Sequence, residues 1–171
     1  MLHIYTGDGK GKTTAGIGLA IRAYGHGKKV AMVFFDKSEC SGEHAVLRKL
    51  KIPFFVFGVN RIRAEKNFRF EDLPEDYTEA KKAGECAEKI LLSKKYDLVV
   101  LDEFCSVVDR NLLSRELASK ILSAQSKNIN LILTGRGCPK WILNQADLVT
   151  EMKMKKHYFE KGIGARKGIE W

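Results

Sequence analysis

The sequence lacks a cysteine pair, a metal-spaced histidine pair and a long apolar run, and each absence removes a class of function. The four cysteines, Cys40, Cys86, Cys105 and Cys138, are scattered, with no C-x-x-C among them. That spacing argues for buried or incidental thiols in a reducing cytosol rather than a thiolate metal site. The four histidines are equally dispersed: His3 in the first apolar stretch, His26 in a Gly-His-Gly turn, His44 at the start of a helix and His157 in a basic tail. None has metal-ligand spacing, and no Ser-His-Asp or Cys-His arrangement stands out. No apolar run approaches the roughly 18 residues of a membrane helix. The first strand begins almost at Met1, which leaves no place for a signal peptide and implies a cytoplasmic protein. Internal repeats and low-complexity linkers are also missing, so 171 residues read as one domain, 1–171, with a substantial core.

Charge is abundant but not patterned for nucleic acid. The net charge is +9, which suits either nucleic acid or a small polyanionic ligand. Residues 60–82 hold six basic and six acidic residues, and residues 151–171 hold six and three. No basic stripe interleaved with aromatics marks a single-strand groove, so nucleic acid is not the expected partner.

What is present is a phosphate loop. Gly7-Asp8-Gly9-Lys10-Gly11-Lys12-Thr13-Thr14 follows a short apolar stretch and opens a helical pattern. Such a loop aims backbone N–H groups at one point with a helix N-terminus behind them. Lys12 can reach the outer phosphates and the Thr13 hydroxyl can hold Mg²⁺. Lys10 reads as a further phosphate ligand, with a solvated turn lysine as the alternative. The spacing is one residue short: a P-loop places four residues between its first Gly and Gly-Lys-Thr, whereas Gly7 and Gly11 enclose three. A dinucleotide fingerprint fails too, because Lys12 occupies its third glycine position.

Apolar runs alternate with helical patterns along the rest of the chain. Strands are expected at 2–5, 29–35, 54–57, 98–101, 129–133 and 148–152. Helices are expected at 12–24, 43–50, 77–94, 114–126 and 139–145, with Ser114 as an N-cap. Continuous apolar strands separated by helices imply an α/β fold: a mainly parallel sheet with helices on both faces. Ligands bind beyond the carboxyl ends of such strands. The Gly7 loop, Asp36-Lys37, Asp102-Glu103 and Gly135-Arg136 all follow strands and should converge there. Phe54, Phe55 and Phe57 read as core. Residues 58–75, polar, Arg-rich and containing Phe68 and Phe70, form a long loop of the kind that is often functional.

Asp102-Glu103, after four apolar residues, resembles a Walker B acid pair. Either carboxylate could hold Mg²⁺ opposite Thr13. Glu103 is preferred, with Asp102 turned toward the sheet to anchor the loop; a plain strand-end cap is the alternative. Arg136 can stack on an adenine face or clamp an anion, and an exposed turn arginine is an equal reading of the residues alone.

These residues resemble the P-loop type of ATP:corrinoid adenosyltransferase. The carrying segments are the loop 5–14, Arg22-Ala23-Tyr24-Gly25-His26-Gly27-Lys28, Gly42-Glu43, Val99-Val100-Leu101-Asp102-Glu103, Leu133-Thr134-Gly135-Arg136-Gly137, residues 146–152, and Lys156-His157 with Gly168-Ile169-Glu170-Trp171. They run the length of the chain in the family's order, and the shortened loop is a family trait. The resemblance implies a P-loop NTPase-like (RecA-like) fold. It implies transfer of the 5′-deoxyadenosyl group of ATP to the cobalt(I) of a reduced corrinoid, cob(I)alamin or cob(I)yrinic acid a,c-diamide, with release of triphosphate. Attack then falls on ribose C5′, and the family holds ATP reversed along the loop relative to kinases. Lys12 and Glu103 take catalytic roles. Gly7, Asp8, Gly9, Lys10, Gly11, Lys12, Thr13, Thr14 and Arg136 bind the nucleotide, and Thr13 and Glu103 hold Mg²⁺ (or Mn²⁺). A homodimer and a flavodoxin-like or other reductase are the family's expected partners.

The chain also departs from the family. Its best-known members carry Gly-Phe-Thr-Trp after the third strand, where aromatics displace the corrinoid's lower ligand; here the run is Phe57-Gly58-Val59-Asn60-Arg61. Phe68 or Phe70 is the candidate substitute. Gly164 stands where many relatives have Lys, and the N-terminal extension of longer members is not in this sequence. Two other readings use the same loop: an ordinary P-loop NTPase or kinase, and a nucleotide-dependent nucleic-acid-binding protein.

Overall fold

The computed structural model describes residues 1–37, 41–59, 69 and 71–170. The chain opens with β1 (Leu2–Thr6), α1 (Lys12–Gly25), β2 (Val30–Phe34), α2 (Gly42–Lys49) and β3 (Phe54–Val56). It continues through α3 (Pro74–Leu92), β4 (Leu98–Asp102), α4 (Phe104–Asp109) and α5 (Arg115–Ser123). The last elements are β5 (Asn130–Thr134), α6 (Lys140–Leu143), β6 (Leu148–Glu151) and a 3₁₀ turn at Tyr158–Lys161.

The six strands form one sheet in the order β3-β2-β4-β5-β1-β6, and every pairing is parallel. Each crossover therefore needs a helix, and the helices cover both faces. One core lies between the sheet and α3, α4 and α5, built from Val33, Val99, Leu101, Leu131 and Leu133 against Ala83, Ala87, Leu91, Phe104 and Ile121. The other face packs Met32, Phe34, Val100 and Ile132 against Ala20 and Leu47 from α1 and α2. Strands buried on both sides explain the continuous apolar runs: β2 and β4 are buried at every position. This is the expected α/β, P-loop NTPase-like arrangement.

Several boundaries shift for local reasons. Helix α3 begins at Pro74 rather than Tyr77, because Pro suits a first turn and the Asp76 carboxylate accepts from the Leu73 N–H at 2.7 Å. Ser114 caps α5 as expected, its hydroxyl accepting from the Leu117 N–H. Helix α4 was not anticipated. Phe55, expected in the core, is 39% exposed, since β3 is an edge strand at the margin of the helical cover. His44 is a packed core residue, stacked on Phe54 and edge-on to Phe34. Among the described residues no helix is long and apolar enough to cross a membrane. Cys40, Asn60, Arg61, Phe68, Phe70 and Trp171 lie outside the described residues, as does most of the loop 58–75.

Candidate active site

The carboxyl ends of the strands frame a cavity of about 690 Å³. It is lined by Asp8 to Thr14, by Lys37, Glu43, Glu103 and Arg136, and by His157, Gly168, Ile169 and Glu170. The predicted nucleotide ligands thus come together, apart from Gly7, which turns the chain behind them.

Backbone crowding explains why the loop is rich in glycine. Gly7 has φ +98 and a Cβ there would sit 2.5 Å from the Met152 carbonyl oxygen. A Cβ on Gly9 would lie 2.7 Å from the same atom, to which the Gly9 N–H donates at 2.7 Å. The residues just past β6 therefore back the phosphate loop directly. Gly11 stands before α1 with φ +114, a conformation only glycine adopts without strain.

Lys12 is 7% exposed and donates to the Gly9 carbonyl at 2.7 Å. Burial pushes its pKa down, and the Arg136 charge pushes the same way. An anion in the loop would reverse that penalty. Lys10 points outward, where its ammonium is engaged by the C-terminal segment through Tyr158, Ile169 and Glu170.

The acid pair divides its labour. Asp102 is fully buried. One of its oxygens accepts from the Thr134 hydroxyl at 2.6 Å and the other faces the Lys37 ammonium at 2.7 Å. Asp102 thus faces the sheet and ties the end of β4 to Thr134 and Lys37. Glu103 turns into the cavity on a left-handed backbone, φ 59, a strained conformation of the kind that clusters at functional sites. The turn is held by its N–H donating to Thr134 Oγ1 at 3.0 Å and by Ser106 Oγ donating to its carboxylate at 2.6 Å. Burial, then the Asp102 charge, raises its pKa. A part-buried carboxylate on the cavity wall is placed to take a cation. With Thr13 it offers the one or two protein oxygens that Mg²⁺ takes alongside phosphates and water, so the donor set fits that metal.

Three residues at the centre were given no role by the sequence reading. Lys37, just beyond β2, donates to Thr13 Oγ1 at 3.1 Å while paired with Asp102, and Glu43 lies 3.6 Å away. Those carboxylates hold its pKa up against burial. Ser106 joins Glu103 to the turn after β5, accepting from the Arg136 N–H at 2.9 Å. Thr134 ties β5 to the end of β4. The only signal for Lys37 was its place after a strand, and Ser106 sits in the unanticipated α4. Arg136 is exposed at the cavity. On the β3 side, Arg110 bridges Asp36 at 2.5 Å and Asp72 at 3.1 Å, pinning the end of the long loop beside the site.

Comparison with known proteins gives a family for the chain. Residues 1–171 match the family described as ATP:corrinoid adenosyltransferase BtuR/CobO/CobP. The chain is similar to the corrinoid adenosyltransferase of Escherichia coli K12, 35% identical across all of this chain and 85% of that protein. It is 34% identical to corrinoid adenosyltransferase CobA of Salmonella typhimurium, again across all of this chain and 85% of the relative. A corrinoid adenosyltransferase of Pseudomonas aeruginosa is 34% identical across all of this chain and 83% of its own length.

Proposed function

The chain belongs to the ATP:corrinoid adenosyltransferase family, and we propose a division of roles among its residues for that reaction. The protein is an enzyme that uses ATP to adenosylate a corrinoid, carrying the 5′-deoxyadenosyl group to cobalt. The observation that carries the assignment of roles is the phosphate loop facing Glu103 and Arg136 across one cavity.

The reaction breaks the bond between ribose C5′ and the triphosphate, so negative charge grows on the departing triphosphate. Catalysis is then chiefly positioning and stabilisation of that charge. The backbone N–H groups from Lys10 to Thr14 cradle phosphate oxygens, and Lys12, already desolvated in the loop, gains its counter-charge there. Thr13 and Glu103 would hold Mg²⁺ (or Mn²⁺), which neutralises phosphate charge when bound. Arg136, on the turn fixed by Ser106, takes the nucleotide's other side. Lys37 pairs with Asp102 and orients the Thr13 hydroxyl. The short loop agrees with an ATP placed so that C5′, not the γ-phosphorus, faces the second substrate. The loop 58–75, with its ends beside Lys37 and Arg110, forms the corrinoid side. The enzyme works in the cytoplasm, as a homodimer, with a flavodoxin-like or other reductase supplying cobalt(I).

The test is incubation with ATP, Mg²⁺ and chemically reduced cobalamin. The expected products are adenosylcobalamin, seen spectrally, and triphosphate. Phosphate or ADP instead would favour an ordinary NTPase, and absence of both expected products with an active reductant would sink the assignment.

A further inference from the structure

After β6 the chain returns across the mouth of the phosphate loop and is fastened there by one cluster. The Lys10 ammonium has three N–H donors, and each has an acceptor in the returning segment. They are Glu170 Oε1 at 2.5 Å, the Ile169 carbonyl at 2.8 Å and Tyr158 Oη at 3.1 Å. Glu170 is held from its other side as well. It accepts from the Tyr158 hydroxyl and from the Arg166 N–H at 2.6 Å, and the Arg166 guanidinium stacks 4.7 Å over the Tyr158 ring. The Glu170 side chain is only 18% exposed in a stretch where most residues are open to solvent. His157, Gly168, Ile169 and Glu170 line the same cavity as the phosphate loop.

We propose that residues 157–170 form the outer wall of the nucleotide cavity, and that Glu170 is a positioning residue that clips this wall to the phosphate loop through Lys10. With the clip closed the cavity between loop and wall holds about 690 Å³. Lys12, not Lys10, is the lysine buried in the loop. Glu170 does not repel a polyphosphate, because Lys10 and Arg166 neutralise its charge. Lys10 therefore serves the site by holding the wall, with its donors committed to Tyr158, Ile169 and Glu170. This inference rests on the nucleotide-site reading above and adds a wall and a clip to it.

The experiment compares wild type with Glu170→Gln and Tyr158→Phe in the full chain. It measures affinity for a fluorescent ATP analogue, steady-state kinetics, and trypsin cleavage after Arg166 and Lys167 with and without nucleotide. Losing a charge-assisted contact is expected to weaken nucleotide binding about tenfold or more in E170Q and less in Y158F. KM for ATP should rise more than kcat falls. Tail cleavage should quicken in both variants, and nucleotide should slow it in wild type. Unchanged affinity would make the segment a spectator. Tighter binding in E170Q would mean that the segment competes with nucleotide for Lys10. Either result overturns the proposal. The trypsin comparison without nucleotide reads the clip alone, so failure of corrinoid chemistry would leave it standing.

Discussion

Replacing Thr134 with Val removes one hydroxyl and should disturb both stability and turnover. Thr134 is fully buried. Its hydroxyl donates to Asp102 at 2.6 Å and accepts the Glu103 N–H at 3.0 Å. A hydrogen bond to a charged group contributes roughly 1.5–3 kcal/mol, and a buried N–H left without an acceptor costs about 1–3 kcal/mol. Lys37 still compensates Asp102 at 2.7 Å, so the lower half of the summed range applies, about 3 kcal/mol. For a domain of this size that is a fall in Tm of roughly 6–12 °C. Thr134→Ser is the control. It keeps the hydroxyl and loses only the methyl that packs near Gly16, at a cost of about 1 kcal/mol. Urea unfolding of the three proteins, monitored by circular dichroism, gives the differences directly. T134V should also lose turnover beyond its stability loss, because the left-handed turn that aims Glu103 would be released. If T134V lies within 1 kcal/mol of T134S, roughly the contribution of one ordinary hydrogen bond, the bridge contributes nothing and the reasoning fails.

Other consequences are more quickly stated. Glu103→Gln and Lys12→Ala should each lower kcat by two or more orders of magnitude, as lost charge stabilisation in the transition state does; a near-normal rate for E103Q would show that Glu103 is not a metal ligand. Gly7→Ala places a Cβ 2.5 Å from the Met152 carbonyl at φ +98. It should abolish ATP binding, measured calorimetrically, and cost at least about 1–3 kcal/mol in backbone strain. Lys10, then Tyr158, holds the Glu170 carboxyl at about 2, against an ordinary 4.5. A depressed carboxylate contributes stability that is present above pH 4.5 and lost as pH falls toward 2. The Tyr158 ring resonances should therefore shift toward those of a released segment across that window, and E170Q should show no such titration.

The middle of the sheet was legible in the sequence because β2 and β4 are buried at every position and show as apolar runs. The phosphate loop was legible because backbone approach by Met152 leaves glycine no substitute at positions 7 and 9. Asp102 and Glu103 could be placed from a strand end, and the structure gives Asp102 the anchoring role. Helix α4 escaped notice because six residues are too few to display a helical period. Lys37 looked like any lysine after a strand; its meaning depends on Thr13 and Asp102, which converge on it only in three dimensions. The clip between Lys10 and Glu170 joins positions 160 residues apart and leaves no mark on local pattern. Phe55 misled because an edge strand has the same composition as a central one.

The central claim is that the bond broken lies between C5′ and oxygen, and an isotope reads it directly. ATP carrying ¹⁸O at the 5′ bridging position is incubated with the enzyme, Mg²⁺ and reduced cobalamin, and the products are weighed by mass spectrometry. The account predicts that the label leaves with triphosphate and that adenosylcobalamin carries none. Label retained on the nucleoside, with phosphate or ADP as the other product, would contradict it.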